Sequence, residues 1–158
     1  MKYLRFEELP VWNAATDLAV AVFALTAHRA LARQRSLRDQ LERAAVSISN
    51  NIAEGFERGT TPELLTFLYI ARGSAGEVRS MLCLRGRLPD FADLKSQISD
   101  LKSAAESVSR QLRGWADSLQ NTPIKGQRYL TEKTRRLDRA RREREELLQD
   151  LQGVQRQG

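Results

Sequence analysis

Apolar residues recur every three or four positions in four successive stretches of this chain, and no stretch sustains the period-two alternation of a strand. The pattern therefore predicts helices alone. The first begins near Pro10, a favoured first-turn residue, and turns Trp12, Ala15, Leu18, Val22 and Leu25 inward until about Leu31. The second runs from about Leu37 to Glu54 through Leu41, Ala44 or Ala45, Ile48 and Ile52. The third opens on Thr60-Thr61-Pro62-Glu63, where Thr60 and Glu63 have the spacing of a capping box. It continues through Leu64, Phe67, Leu68, Ala71, Ser74, Ala75, Val78, Met81 and Leu82, and stops before Pro89. The fourth starts near Asp90 and buries Leu94, Ile98, Leu101, Ala105, Val108, Leu112, Trp115 and Leu119, ending around Asn121 ahead of Pro123. Short connections force consecutive helices to be antiparallel neighbours, so the expected fold is an all-α, up-down-up-down four-helix bundle over residues 1–122.

Within the second helix, Ser47 to Arg58 reads S-I-S-N-N-I-A-E-G-F-E-R. Adjacent asparagines oppose helix propensity. Ser47, Asn51 and Glu54 flank the buried Ile48–Ile52 row, where polar groups beside a packed seam fix a neighbouring helix in register at some cost in stability. Gly55 stands where a left-handed cap is expected, and Arg58 follows. Gly73 and Gly76 fall inside the third helix. Each costs about 1 kcal/mol there relative to Ala, which points to a tight helix crossing or a subunit contact.

Composition changes this picture mainly through charge. The 158-residue chain carries a formal net charge of +6 and a pI near 10.0, and arginine dominates its 26 basic residues. Arginine suits bidentate contact with phosphate or carboxylate. Residues 123–158 hold ten Lys or Arg against six Asp or Glu. Between Leu137 and Leu147 the only apolar residue is Ala140, so this basic segment, helical from about 129 to 151, is expected to be an extension of the bundle, solvated or partner-binding.

Catalytic constellations are nearly absent from the sequence. One histidine, His28, leaves no material for the histidine pairs of di-iron bundles, for zinc sites of the usual spacing or for Ser-His-Asp machinery. No metal or cofactor is expected. Cys83, between Leu82 and Leu84, reads as a packed thiol, with Arg85 and Arg87 nearby in sequence leaving reactivity open. The Gly73-Ser74-Ala75-Gly76 run follows no strand, so it is not a phosphate-cradling loop. Glu54 and Glu77 would pair as carboxylates across the bundle, yet Arg58 and Arg79 make ion pairing the commoner outcome. The apolar run Leu18–Leu25 is short for a membrane span and has acid, not base, before it, so a cytoplasmic location is expected.

The positive features are two basic rows. Arg128, Arg135, Arg139 and Arg142, with Lys125 before them, recur along one face of the extension, and Arg72 and Arg79 form a second row on the third helix. Either row would track a phosphate backbone. Interleaved acids leave a salt-bridged, solvated extension as the competing outcome, and glutamate pairing competes for Arg72 and Arg79.

Val11-Trp12 with Ala15 and Leu18, Ser47-Ile48 with Asn51-Ile52-Ala53-Glu54-Gly55 and Arg58, and Phe67-Leu68-x-Ile70-Ala71-x-Gly73-Ser74 with Glu77 together carry a family likeness. Over roughly residues 6–120 the chain resembles the bacterial four-helix bundle proteins encoded in intervening sequences of large-subunit ribosomal RNA genes. Leu112-x-Gly114-Trp115 is similar to the close of a related branch, the accessory variability proteins of diversity-generating retroelements. The resemblance implies an antiparallel bundle assembled into a homopentamer. For the retroelement branch it also implies binding to nucleic acid and a reverse transcriptase. The resulting expectation is a non-enzymatic, oligomeric RNA-binding bundle, an accessory to such a polymerase. The alternative is a protein-interaction scaffold that does not touch nucleic acid.

Overall fold

A computed structural model of the protein describes residues 3–121. Four long helices make the bundle: α1 (Pro10–Thr26), α3 (Arg35–Glu57), α4 (Thr61–Arg85) and α5 (Lys95–Gln120). A four-residue helix, α2 (Arg29–Ala32), links α1 to α3, and 3-10 turns at Phe6–Glu8 and Pro89–Leu94 precede α1 and α5. Each long helix packs against two others, α3 lying between α1 and α4, and α5 between α4 and α1. The expected all-α bundle is the observed fold.

Its core holds most of the positions that the periodicity selects, together with Leu9, Val11, Phe56 and Phe91, which it does not. Leu18, Val22, Leu25, Leu41, Ile48, Ile52, Leu64, Leu68, Val78, Leu82, Ile98, Leu101, Val108 and Leu112 are buried, and Ala15, Ala45, Ala71, Ala75 and Ala105 let the helices approach between them. Each large aliphatic side chain contributes about 1.5–3 kcal/mol by leaving water. Trp12, Phe67, Leu94, Trp115 and Leu119, all placed inward by their spacing, are only partly buried.

Cross-helix contacts fix the register. From Gln40–Glu77 (3.1 Å) through Ser47–Ser74 (3.0 Å) to Gly55 against Phe67, α3 numbers rise as α4 numbers fall, which is the signature of antiparallel neighbours. The same holds between α4 and α5, where Arg79 meets Glu106 and Tyr69 meets Gln120. Thr26 ends α1. Its hydroxyl reaches Phe23 O at 3.1 Å and Glu42 Oε1 at 2.5 Å, so the chain turns there rather than continuing to Leu31. Leu31 is still buried, as a plug from the connecting turn.

Gly55 is not a left-handed cap. No described residue has a positive φ, and Gly55 lies buried inside α3, two residues before its end. A Cβ built there would sit 2.7 Å from Phe67 Cβ, so the residue serves close packing of α3 on α4. Gly73 and Gly76 reverse the expectation of a tight crossing within the chain, since no atom lies within 4 Å of a Cβ at either position. Cys83 is exposed rather than packed, because helical geometry turns it outward beside the buried Leu82.

Candidate nucleic-acid interface

The antiparallel register brings two connections that lie far apart in sequence to the same end of the bundle. One runs from α1 to α3 and supplies Arg29, Arg33, Arg35 and Arg38; the other runs from α4 to α5 and supplies Arg85, Arg87 and Lys95. These seven cations share that end with Asp39, Glu42, Asp90 and Asp93. The opposite end has the reverse balance, Arg5, Arg58 and Arg113 against Glu7, Glu8, Glu54, Glu57, Glu63 and Asp117. Neither sequence row identified this separation, because it depends on which connections share an end.

Arg38 is neutralised locally, 2.9 Å from Asp39 and 3.8 Å from Glu42. Arg29, Arg33, Arg35, Arg87 and Lys95 are exposed and pair with no carboxylate among the described residues. Helix electrostatics make this arrangement costly. Both α3 and α5 begin at this end, and each N-terminus favours negative charge. Yet neither first turn contains an acid; α3 opens on Arg35 and α5 on Lys95, and neither has a side-chain cap. Lys95 N–H is taken by Ala92 O of the preceding 3-10 turn, so it is at the start of α3 that first-turn N–H groups are left for solvent or an anion. At the opposite end α4 begins conventionally, with Thr60 accepting from Glu63 N and the Glu63 carboxylate accepting from the Thr60 hydroxyl at 2.7 Å.

The earlier basic residues fall elsewhere. Arg72 and Arg79 occupy one face of α4, two turns apart, with Arg79 3.6 Å from Glu106 and Arg72 without a carboxylate partner among the described residues. Lys125, Arg128, Arg135, Arg139 and Arg142 lie outside the described residues, as does the extension over 123–158.

The Ser47–Arg58 motif divides its polar groups between helix and seam. Asn51 Nδ2 donates to Ser47 O at 2.7 Å and to Ser47 Oγ at 3.0 Å, and Ser47 Oγ meets Ser74 across the α3–α4 interface. Glu54 pairs with Arg58 at 2.6 Å, and the Arg58 guanidinium lies 5.0 Å from the centroid of Phe67. Glu77 accepts from Gln40, so Glu54 and Glu77 do not form a carboxylate pair. Among the described residues no group of three His, Cys, Asp or Glu is placed to hold a metal, and no helix is long and apolar enough to cross a membrane.

The fold also appears in a crystal structure of a protein with unknown function from the S23 ribosomal protein family of Bacteroides thetaiotaomicron. That chain is 20% identical, with a TM-score of 0.60 over 67% of this chain and 97% of its own. No curated protein matches the sequence. A family model described as 23S rRNA-intervening sequence protein matches residues 7–114, which run from the turn before α1 to the last turns of α5. The chain therefore belongs to the 23S rRNA-intervening sequence protein family.

Proposed function

We propose that this protein is a non-enzymatic RNA-binding bundle that grips phosphates with its basic end. The observation that carries the proposal is the group of exposed cations Arg29, Arg33, Arg35, Arg87 and Lys95, without carboxylate partners among the described residues, around two helix N-termini that lack side-chain caps and first-turn acids. Retaining cations where a helix dipole favours acids lowers stability, which fits an end shaped by an anionic ligand. Arg72 and the arginines of residues 123–158 extend the same contact to other surfaces.

Oligomerisation accompanies this reading. The outward stripe of α4, Ile70, Gly73, Gly76, Ser80, Cys83 and Leu84, is small or apolar apart from Glu77 in its middle, with Ile70 and Leu84 each 47% exposed. A second copy would cover it and give the two glycines the close approach that they lack within the protomer. A homopentamer is the form implied by the resemblance. In its narrowest form the reading makes the protein an accessory of a retroelement reverse transcriptase in the cytoplasm, tested by RNA-dependent co-purification with that polymerase.

The test is RNA affinity as a function of salt. Each neutralised phosphate contributes a slope of roughly −0.7 on single strands. The triple variant Arg33→Glu/Arg35→Glu/Arg87→Glu should weaken binding at least tenfold and reduce the steepness of the salt dependence by about 2, as expected for three lost contacts. Unchanged affinity in that variant would end the proposal and favour the protein-interaction scaffold, which the exposed Val20 and Phe23 on α1 support.

A further inference from the structure

We infer that the groove between α1 and α3 receives one unstacked, amino-bearing nucleobase, adenine or cytosine, of the strand whose phosphates lie on the basic end. This inference rests on the RNA-binding reading and adds a source of base preference to it. The groove has a volume of about 540 Å³ and is lined by Phe23 from α1 and by the α3 segment from Asp39 to Asn51. It begins one turn below the connection that carries Arg33 and Arg35, so a strand held there passes its mouth.

A base within a strand presents a flat π-face, an edge of donors and acceptors, and a phosphate. Each has a counterpart here. Phe23 is 47% exposed, an unusual state for phenylalanine, and offers a stacking face beside Val46. Asn50 is exposed and makes no hydrogen bond among the described residues, so its amide is free to pair with a base edge. Asp39 and Glu42 are already held by Arg38 and Thr26 and provide fixed acceptors for an exocyclic amino group. Arg43 is exposed without a carboxylate partner among the described residues and stands ready for the phosphate.

Ser47 and Asn51, which also line the groove, are tied to each other by hydrogen bonds. Such a mixture does not suit an amphipathic partner helix, which needs a row of apolar anchor sites rather than two apolar side chains among charges and amides. Single-stranded RNA is read in this way, with bases splayed onto aromatic faces and recognised along their edges.

The experiment uses the full chain and labelled hexanucleotides of A, C or U, together with an abasic strand of equal length. Wild type should bind A and C strands more tightly than U, and all three more tightly than the abasic strand. Phe23→Ala should lower affinity for the base-bearing strands at least fivefold, the low end for loss of one stacked base, without changing abasic binding. Asp39→Ala should erase the preference for A and C over U. Both positions are exposed, and an unchanged melting temperature verifies that the variants are folded. Equal wild-type affinity for base-bearing and abasic strands, both weakened by the basic-end triple variant, would overturn the base site and leave the proposed function standing. Absence of binding to any strand would overturn both.

Discussion

The guanidinium of Arg85 lies 5.7 Å from the centroid of the Phe91 ring, and none of its three nitrogens has a hydrogen-bond partner among the described residues. The side chain is 0% exposed, at the last position of α4, and Phe91 is the buried residue of the 3-10 turn that follows. A cation–π contact returns about 2 kcal/mol when desolvated, less than the several kcal/mol lost in removing a cation from water.

Replacing Arg85 with methionine should therefore stabilise the fold, by about 1–4 kcal/mol on the scale of other buried charges exchanged for apolar side chains. Burial pushes the Arg85 pKa down, so unfolding is favoured wherever the unfolded chain holds the proton and the folded state binds it less tightly. Arginine nonetheless remains protonated through neutral pH, and the gain should be the same at about pH 5 and about pH 8. Thermal melting checks the sign. Slower hydrogen exchange over residues 86–94 in the variant would show that the charge loosens this connection.

Gly55→Ala should destabilise the protein by about 1–3 kcal/mol, the usual cost of adding a methylene group to a filled contact. The obstructing atom is Phe67 Cβ, fixed to the α4 backbone, so a rotamer change cannot relieve the 2.7 Å approach. Urea denaturation with an unchanged slope would read this as a true loss of stability.

Gly73→Ala and Gly76→Ala should have the opposite effect, each raising protomer stability by about 0.5–1 kcal/mol through reduced freedom of the unfolded chain. Nothing within 4 Å opposes either methyl group. If copies meet on this stripe, the double variant should also lower the assembly mass in light scattering. Cys83, exposed on the same stripe, should react rapidly with a thiol reagent in the protomer and slowly in the assembly.

Thr60→Ala should cost about 1 kcal/mol, since it removes both the acceptor for Glu63 N and the donor to the Glu63 carboxylate. Calorimetry should show a lower melting temperature with the helical far-UV signal retained.

Helix number, the capping box at Thr60 and most of the core were legible because they are periodic or local, and each needs only residues within one helical turn. Gly55 was misread because glycine near a helix end and glycine under a neighbouring side chain look alike in sequence; Phe67, twelve residues on, decides between them. Cys83 was misread for a related reason. Both of its neighbours are leucines, yet Leu82 faces the core and Leu84 is 47% exposed, so adjacency says less than helical phase. The candidate interface was least legible of all. Arg35 and Arg87 become members of one surface only when the register of α3 on α4 is known, whereas the row Arg72–Arg79 is legible because it lies within one helix. The doubled asparagine was visible from the beginning. Both members line the groove, but Asn51 is hydrogen-bonded to Ser47 while Asn50 makes no hydrogen bond among the described residues.

Among the described residues, the opposed charge balance at the two ends gives the bundle a charge dipole along its helices. In the field of a polyanion such a body experiences a torque before any contact forms, and it turns its Arg33–Arg87 end forward while still a Debye length away, about 8 Å at physiological ionic strength. The orientation of first encounter is then set by long-range physics rather than by trial collisions. Raising salt should slow capture more than it hastens release, a kinetic asymmetry that charge spread evenly over the four helices would not produce.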